Sequence, residues 1–267
     1  MRKDIKVSII TPSLNQGEFI EDTIKSVLDQ TYPNIEYIVV DGGSTDSTVE
    51  VLEKYRGYFH LIQSQDSGQT DAINIGMRAS TGELVGWLNS DDIYERNCVE
   101  KIVARYKEQP NASIYYGAIR LIDESGHFIG FPKWRGPLTY ERLLRGSSAL
   151  WQPGSFYPLD LVRKVGYLNP ELFMLMDFDL YLKLLKFAPA EFVPEFVARQ
   201  RVHSSTKTSR YQLVALREGI KLRIHHGTPL SVILLYCLKR FVYLAKFYTV
   251  NKGKTVTWKY VGPKLSP

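Results

Sequence analysis

VSIITPSLNQGEFIEDTIKSVLDQTYPNIEYIVVDGGSTDSTVEVLEKY, residues 7–55, switches repeatedly between the period of a buried strand and the period of a helix. Val7, Ser8, Ile9 and Ile10 form a short, largely β-branched run, and Tyr37, Ile38, Val39 and Val40 form a second. Runs of this kind suit strands covered on both faces. Between them, residues 19–30 place Ile20, Thr23, Ile24, Val27 and Leu28 on one helical face, and residues 48–55 do the same with Val51, Leu52 and Tyr55. Strand, helix, strand in succession implies a right-handed parallel crossover. Two further runs, 59–62 and 84–88, continue the alternation, so the expected fold is α/β, with parallel strands flanked by helices.

In an open parallel sheet the ligand crevice lies beyond the carboxyl ends of the strands. Small and polar residues follow each run here: Thr11, Pro12, Ser13 and Asn15; Asp41, Gly42, Gly43, Ser44, Thr45 and Asp46; Asp66, Gly68, Gln69 and Asp71; Asn89, Ser90, Asp91 and Asp92. Asp91 and Asp92 directly follow an apolar strand, where adjacent carboxylates repel unless a cation or a hydrogen-bond network compensates. A hard divalent ion is one compensation, leaving positions open for phosphate oxygens. A helix cap at Asp92, with Glu95 as its partner three residues on, is the competing reading. The glycines after Asp41 permit close backbone approach, and residues 44–46 can cap the next helix, whereas the Asp41 carboxylate is placed to accept from a base or a ribose. Asp71 and Asn74, three apart, share a helix face, with capping by Asp66 or Ser67 as the alternative.

From residue 117 the composition shifts to Gly-, Pro- and aromatic-rich segments such as 131–137, which read as loops and short hairpins. Residues 152–157 read as a strand, with Trp151 either a sugar platform or a core side chain. A helix is predicted over 177–187, then two strands at 191–193 and 197–202, then basic helices from residue 212.

Cys98 and Cys237 have no second Cys or His at metal-ligand spacing, so neither a disulfide framework nor a Cys-based zinc site is expected. The four-residue apolar run near the start predicts no secretory signal, and residues 229–250 are interrupted by Lys239, Arg240 and Lys246, which predicts no spanning helix. The net charge of +6 is unevenly distributed: residues 1–198 hold 20 Lys and Arg against 27 Asp and Glu, and residues 199–267 hold 14 against one. Such a tail suits a polyanionic contact. Its apolar residues between 230 and 244, flanked by Lys and Arg, suit a helix lying on an anionic membrane surface or packed on the protein.

The segment quoted first, together with SGQTDAINIGMRASTGELVGWLNSDD (67–92) and MDFDLYLKLLK (176–186), resembles family 2 glycosyltransferases of the Rossmann-like GT-A fold, with its mixed, mainly parallel sheet, over residues 5–205. The resemblance implies an inverting transferase that takes its sugar from a UDP-sugar, or a GDP-sugar, and delivers it to a glycan or lipid-linked hydroxyl in cell-envelope or exopolysaccharide synthesis. It divides the chain into a nucleotide-sugar-binding half (1–116), an acceptor and catalytic-base half (117–211) and a basic amphipathic tail (212–267). The implied donor site comprises Thr11, Pro12, Ser13, Asn15, Asp41, Gly43, Asp66, Gly68, Gln69, Asp71 and Asn74, with Asn89, Ser90 and Arg201. Mn²⁺ or Mg²⁺ would be held by Asp91, with Asp92 adjoining and His203 as a third ligand or a diphosphate donor. Asn89 stands where the family's Asp-x-Asp pattern begins, and Met176 where it more often has Glu. The implied general base is Asp177, with Asp179 as the second choice. The expected location is cytoplasmic, peripheral on the inner face of the cell membrane, with no nucleic-acid partner. Two other readings stand beside this one. A sugar nucleotidyltransferase usually needs a Gly-rich phosphate loop with a basic residue near the first strand, absent from TPSLNQGEF; a catalytically silent nucleotide-sugar binder would accommodate Asn89 and Met176.

Overall fold

Strand β1 (Val7–Ser13) is buried along its whole length because it runs between two parallel neighbours, β2 (Ile35–Asp41) and β4 (Leu84–Trp87). The helices α1 (Ile20–Leu28), α2 (Thr48–Lys54) and α3 (Gln69–Ala79), with strand β3 (His60–Gln63), complete this half. As the spacing predicts, α1 buries Ile20, Thr23, Ile24 and Val27. Helix α3 lies close on β1: a Cβ at Gly76 would stand 2.5 Å from Ile10 Cγ2, so only glycine admits this approach. That contact carries the N-terminus of α3 to the carboxyl end of β1.

The coordinates are a computed structural model that describes residues 4–132, 136–146, 152–203 and 206–250. The chain continues through β5 (Ile93–Tyr94), α4 (Cys98–Glu108), β6 (Ile114–Ile122), β7 (Phe128–Gly130), α5 (Tyr140–Leu144), a 3₁₀ turn (Gln152–Gly154), β8 (Ser155–Pro158), α6 (Leu159–Lys164), α7 (Met176–Leu184), β9 (Ala190–Arg201), α8 (Lys207–Arg210), α9 (Gln212–His225) and α10 (Leu230–Val250). One sheet runs in the order β3-β2-β1-β4-β8-β6-β9-β5, with β7 hydrogen-bonded to β6. The strands β1 to β4, β6 and β9 share a direction, whereas β5, β7 and β8 oppose it, so the sheet is mixed and mostly parallel.

Four expectations change. Residues 152–154, foreseen as the start of a strand, form the 3₁₀ turn, and β8 begins only at Ser155. The strands foreseen at 191–193 and 197–202 are one, β9, because the ladder with β6 jumps from Gly117↔Val193 to Ala118↔Phe196 and so absorbs Pro194 and Glu195 in a bulge. Proline has no N–H to give the ladder, which is why the pattern reads as a break. Asp92 caps no helix: β5 follows it, pairing with β9, and α4 begins only after Asn97. The segment from residue 117, foreseen as loops and hairpins, opens with the continuation of β6 to Ile122, and the sheet has no break at 116/117. Trp151 lies outside the described residues.

The tail divides in two. Helix α9 is bound into the body by buried Glu218 and Arg223, while α10 packs on α9 and leaves Leu230, Leu234, Leu235, Leu238, Phe241 and Val242 exposed.

Candidate active site

A cavity of about 700 Å³ opens at the carboxyl ends of β1 and β4, bounded by the loop after β1, the N-terminus of α3, the turn after β4, the 3₁₀ turn, the start of α7 and the exit of β9. Its floor is organised by Asn89. The side-chain oxygen of Asn89 accepts from Gln69 Nε2 at 2.8 Å, while its Nδ2 donates to Gln152 Oε1 at 3.1 Å and reaches Asp92 Oδ2 at 3.4 Å. Gln152 in turn donates to the Trp87 carbonyl at 2.7 Å. An amide can both donate and accept, which a carboxylate cannot. The departure from Asp-x-Asp is thus matched by partners of its own.

Asp91 and Asp92 part company. Asp92 is buried under the turn, where Oδ1 accepts the Arg201 backbone N–H at 2.9 Å and its carbonyl accepts from Thr23 Oγ1 at 2.7 Å. Burial, reinforced by the neighbouring Asp91 charge, pushes the Asp92 carboxyl well above the usual carboxylate range. Asp91 faces the cavity, with Oδ2 3.0 Å from His203 Nε2, and the His203 ring rests against Phe19 at a centroid distance of 4.9 Å. Asp91 and His203 therefore converge, whereas Asp92, which also borders the cavity, is 2% exposed and has its carboxylate engaged by the Arg201 N–H and Asn89. Among the described residues no three His, Cys, Asp or Glu side chains gather into a metal cluster. A hard ion bound chiefly by diphosphate oxygens and waters needs only one or two protein ligands, so this pair fits such an ion.

Arg201 is built as a brace rather than an anion clamp. Its guanidinium donates to the carbonyls of Asp91 at 2.9 Å, Glu124 at 2.7 Å and Asp123 at 3.3 Å, and pairs with Asp22 Oδ2 at 3.0 Å. Four acceptors hold it beneath the acidic turn. Lys207, which the resemblance to the family places beside the diphosphate as the alternative to Arg201, also lines the cavity, as does Arg210, which sequence reasoning did not single out.

Asp177 lines the cavity from the first turn of α7, where Oδ1 accepts the Phe178 N–H at 2.7 Å. Burial pushes its carboxyl up to about 6. Asp179 is buried away from the cavity and paired with Lys183 at 2.7 Å, leaving Asp177 as the carboxylate of this helix that faces the space.

Pro12, Ser13, Asn15, Asp66, Gly68, Gln69 and Ser90 also line the cavity. Gly68 has φ +123°, a conformation that a side chain strains, and its N–H donates to Asp66 Oδ1 at 2.9 Å. Five expected donor residues do not reach the space, each for a local reason. Thr11 is buried against the Tyr37 hydroxyl at 3.1 Å. The Asp41 carboxylate closes its own turn, accepting from the N–H groups of Gly43 and Ser44 and from Ser44 Oγ at 2.6 Å, and Gly43 belongs to that turn. Asp71 accepts the Ser67 N–H at 3.1 Å and so closes the loop ahead of α3. Asn74 holds both backbone groups of Leu168, each at 3.0 Å. Gln152 and Glu218 carried no motif, although Glu218 stands out as the only acidic residue after position 198.

The fold is of the GT-A type, shared with the solved glycosyltransferases it superposes on. The family model described as Glycosyl transferase family 2 matches residues 8–163, and the chain belongs to that family. An uncharacterized glycosyltransferase of Rickettsia conorii, RC0461, is 33% identical over 211 residues, covering 74% of this chain and 34% of the relative. The chain therefore spans about a third of the length of the first curated relatives it matches. Among solved structures, S. aureus TarS in complex with UDP-GlcNAc superposes with a TM-score of 0.70 at 17% identity, covering 93% of this chain and 76% of that one. The mannosyltransferase PcManGT from Pyrobaculum calidifontis, in complex with GDP-Man and Mn²⁺, gives 0.63 at 15% identity, with 96% and 77% covered.

Proposed function

We propose that this transferase is inverting, that it uses a nucleoside diphosphate sugar, UDP-linked by preference, and that its acceptor is a hydroxyl of a glycan or lipid-linked glycan of the cell envelope or an exopolysaccharide. The observation that carries the reading is that Asp91 with His203, and Asp177, face one cavity beside the strand ends that bind nucleotides in such sheets. Asp91 and His203 would hold a divalent ion, Mn²⁺ or Mg²⁺, which when bound offsets the charge of the leaving diphosphate. Asp177 takes the proton of the acceptor hydroxyl as its oxygen bonds to the anomeric carbon and the bond to the diphosphate oxygen breaks, a single displacement that inverts the centre. The UDP-GlcNAc and GDP-Man complexes of the neighbouring folds support a nucleotide-sugar donor.

A panel of UDP- and GDP-sugars, read as nucleotide release with Mn²⁺ and glycan or polyprenyl-phosphate-linked acceptors, tests this. Acceptor-stimulated release from one donor class is expected. Binding without release across the panel would favour the silent binder instead.

The exposed apolar residues of α10 fall at intervals of three and four, a stripe flanked by Lys239 and Arg240, which supports docking on an anionic bilayer that presents the acceptor. No described helix is long and apolar enough to cross a membrane. Because α9 is built into the body, the test is confined to substitutions on the exposed face of α10. Leu234→Ser with Phe241→Ser is expected to abolish flotation with phosphatidylglycerol vesicles, with the melting temperature unchanged. Flotation equal to the parent chain would refute the membrane role.

A further inference from the structure

Residues 199–267 carry 14 Lys and Arg and a single acidic residue, Glu218. A lone carboxylate in so basic a segment is expected at the surface, among its neighbours' charges. Glu218 is instead 7% exposed and turned inward from α9. Its Oε1 accepts the N–H of Phe173 at 2.8 Å, and its Oε2 accepts those of Met174 at 3.0 Å and Leu175 at 2.9 Å.

Those three N–H groups belong to the strap that leads into α7. Donors just ahead of a helix's first turn have no intrahelical acceptors and usually rely on a local Ser, Thr, Asp or Asn. Here the residue before the helix is Leu175, which makes no side-chain cap, and Phe173 and Met174 offer no acceptor either. The missing acceptor comes from a helix more than forty residues further along the chain. The strap is also tied to the donor half, where the Thr70 hydroxyl lies 3.0 Å from the Leu172 carbonyl at the strap's start and 3.1 Å from Met176 Sδ at the start of α7, its one proton available to either. Helix α9 is itself fixed. The buried Arg223 guanidinium donates to the Leu144 carbonyl at 2.7 Å and lies over the rings of Tyr236 at 3.5 Å and Phe178 at 5.1 Å. Phe178 is the residue after Asp177.

We propose that Glu218 is a positioning residue for the catalytic base: by clamping the strap 173–175 it fixes the start of α7 and so the place of Asp177 in the cavity. This makes α9 part of the catalytic machinery rather than an appendage. The inference rests on the reading of Asp177 given above. A base held by supporting hydrogen bonds loses rate when that support is removed, because small displacements of a reacting group are costly. The charge of Glu218 acts in addition. The titratable groups that face Asp177 are the hydroxyls of Tyr157 on β8 and Tyr181 on α7, and the Glu218 carboxylate on α9; Lys207 on α8 lies within the field of Glu218. The Glu218 charge adds to burial in raising Asp177, so its removal lowers the pH at which the base ionises.

The test compares Glu218→Gln, Glu218→Ala and Asp177→Asn in the full chain. Turnover is followed with the donor that releases nucleotide fastest in the panel above, and binding with UDP and Mn²⁺. For Glu218→Ala, kcat is expected to fall about 10- to 100-fold, the range typical of supporting contacts around a site. Glu218→Gln, which keeps an acceptor, is expected to lose less. UDP affinity should stay within about twofold in both, amide exchange over 173–175 should accelerate, and the acidic limb of kcat should move to lower pH. Parent-like kcat and acidic limb in Glu218→Ala, with Asp177→Asn inactive, would overturn the positioning role alone. Loss of UDP affinity in step with kcat would reduce Glu218 to a folding residue. Turnover retained in Asp177→Asn would instead remove the base on which the inference stands.

Discussion

Asp177→Asn is expected to lower kcat by about 10²- to 10⁴-fold, the span attributed to a positioned general base, while UDP affinity is retained. Asparagine keeps the shape and the acceptor that Phe178 N–H uses at 2.7 Å, so the loss isolates proton transfer from packing. The pH profile supplies an independent check. Burial pushes the carboxyl up to about 6, and a base must be ionised, so kcat should rise through about pH 6 and level off above it. Stability runs the other way. A carboxyl titrating at about 6 in the folded chain, against a reference of 3.8, contributes stability that is fully present below 3.8 and is lost as pH rises through 6. At pH 7 the parent chain therefore bears the cost of a buried charge that asparagine lacks. The variant should melt at or above the parent temperature while being nearly inactive, a trade of stability for function. A variant that melts lower and loses UDP binding would mean that Asp177 holds structure rather than moves a proton.

The first four strands and their helices were legible because β-branched runs and one-sided helical faces are local signals that tertiary packing did not override. Ile20, Thr23, Ile24 and Val27 are read from spacing and found buried. The strand–turn order also located the cavity, since ligand positions in such sheets follow from topology. What sequence could not separate was the duty of neighbouring polar residues. Asp91 and Asp92 have the same chemistry and differ only in facing, which depends on the Arg201 N–H arriving from β9, more than a hundred residues away. Asn74 and Asp41 read as ligand residues in sequence, and the structure adds a duty that sequence could not show: they hold Leu168 and a turn of the chain itself. Arg201 shows the same limit from the cationic side: a basic residue near a phosphate segment reads as a phosphate ligand, yet four protein acceptors already surround it. Distant partners leave no local period, so the residues that brace a site are the least visible ones.

The division between Asp91 and Asp92 carries the second large effect. EDTA is expected to reduce turnover by at least about 100-fold, with Mn²⁺ or Mg²⁺ restoring it, because charge on a departing diphosphate must be offset in the cavity. Asp91→Ala should lower kcat about 10²- to 10³-fold at any Mn²⁺ concentration that remains soluble, since its carboxylate faces the space directly. His203→Ala should cost less and be partly rescued by excess metal, because diphosphate oxygens and water can replace one ligand of a hard ion. Asp92 behaves differently. Its carboxyl lies under the turn, accepting the Arg201 N–H at 2.9 Å, and Asp92→Ala removes that acceptor and leaves a buried donor unpaired. Such a loss costs about 1–3 kcal/mol, so this variant should melt several degrees lower while its Mn²⁺ dependence, measured at a temperature where it stays folded, is unchanged. Calorimetric titration of Mn²⁺ into the UDP complex of each variant separates the two roles. Full activity in EDTA would refute the metal assignment, and a weakened Mn²⁺ response in Asp92→Ala with normal melting would return Asp92 to the ligand set.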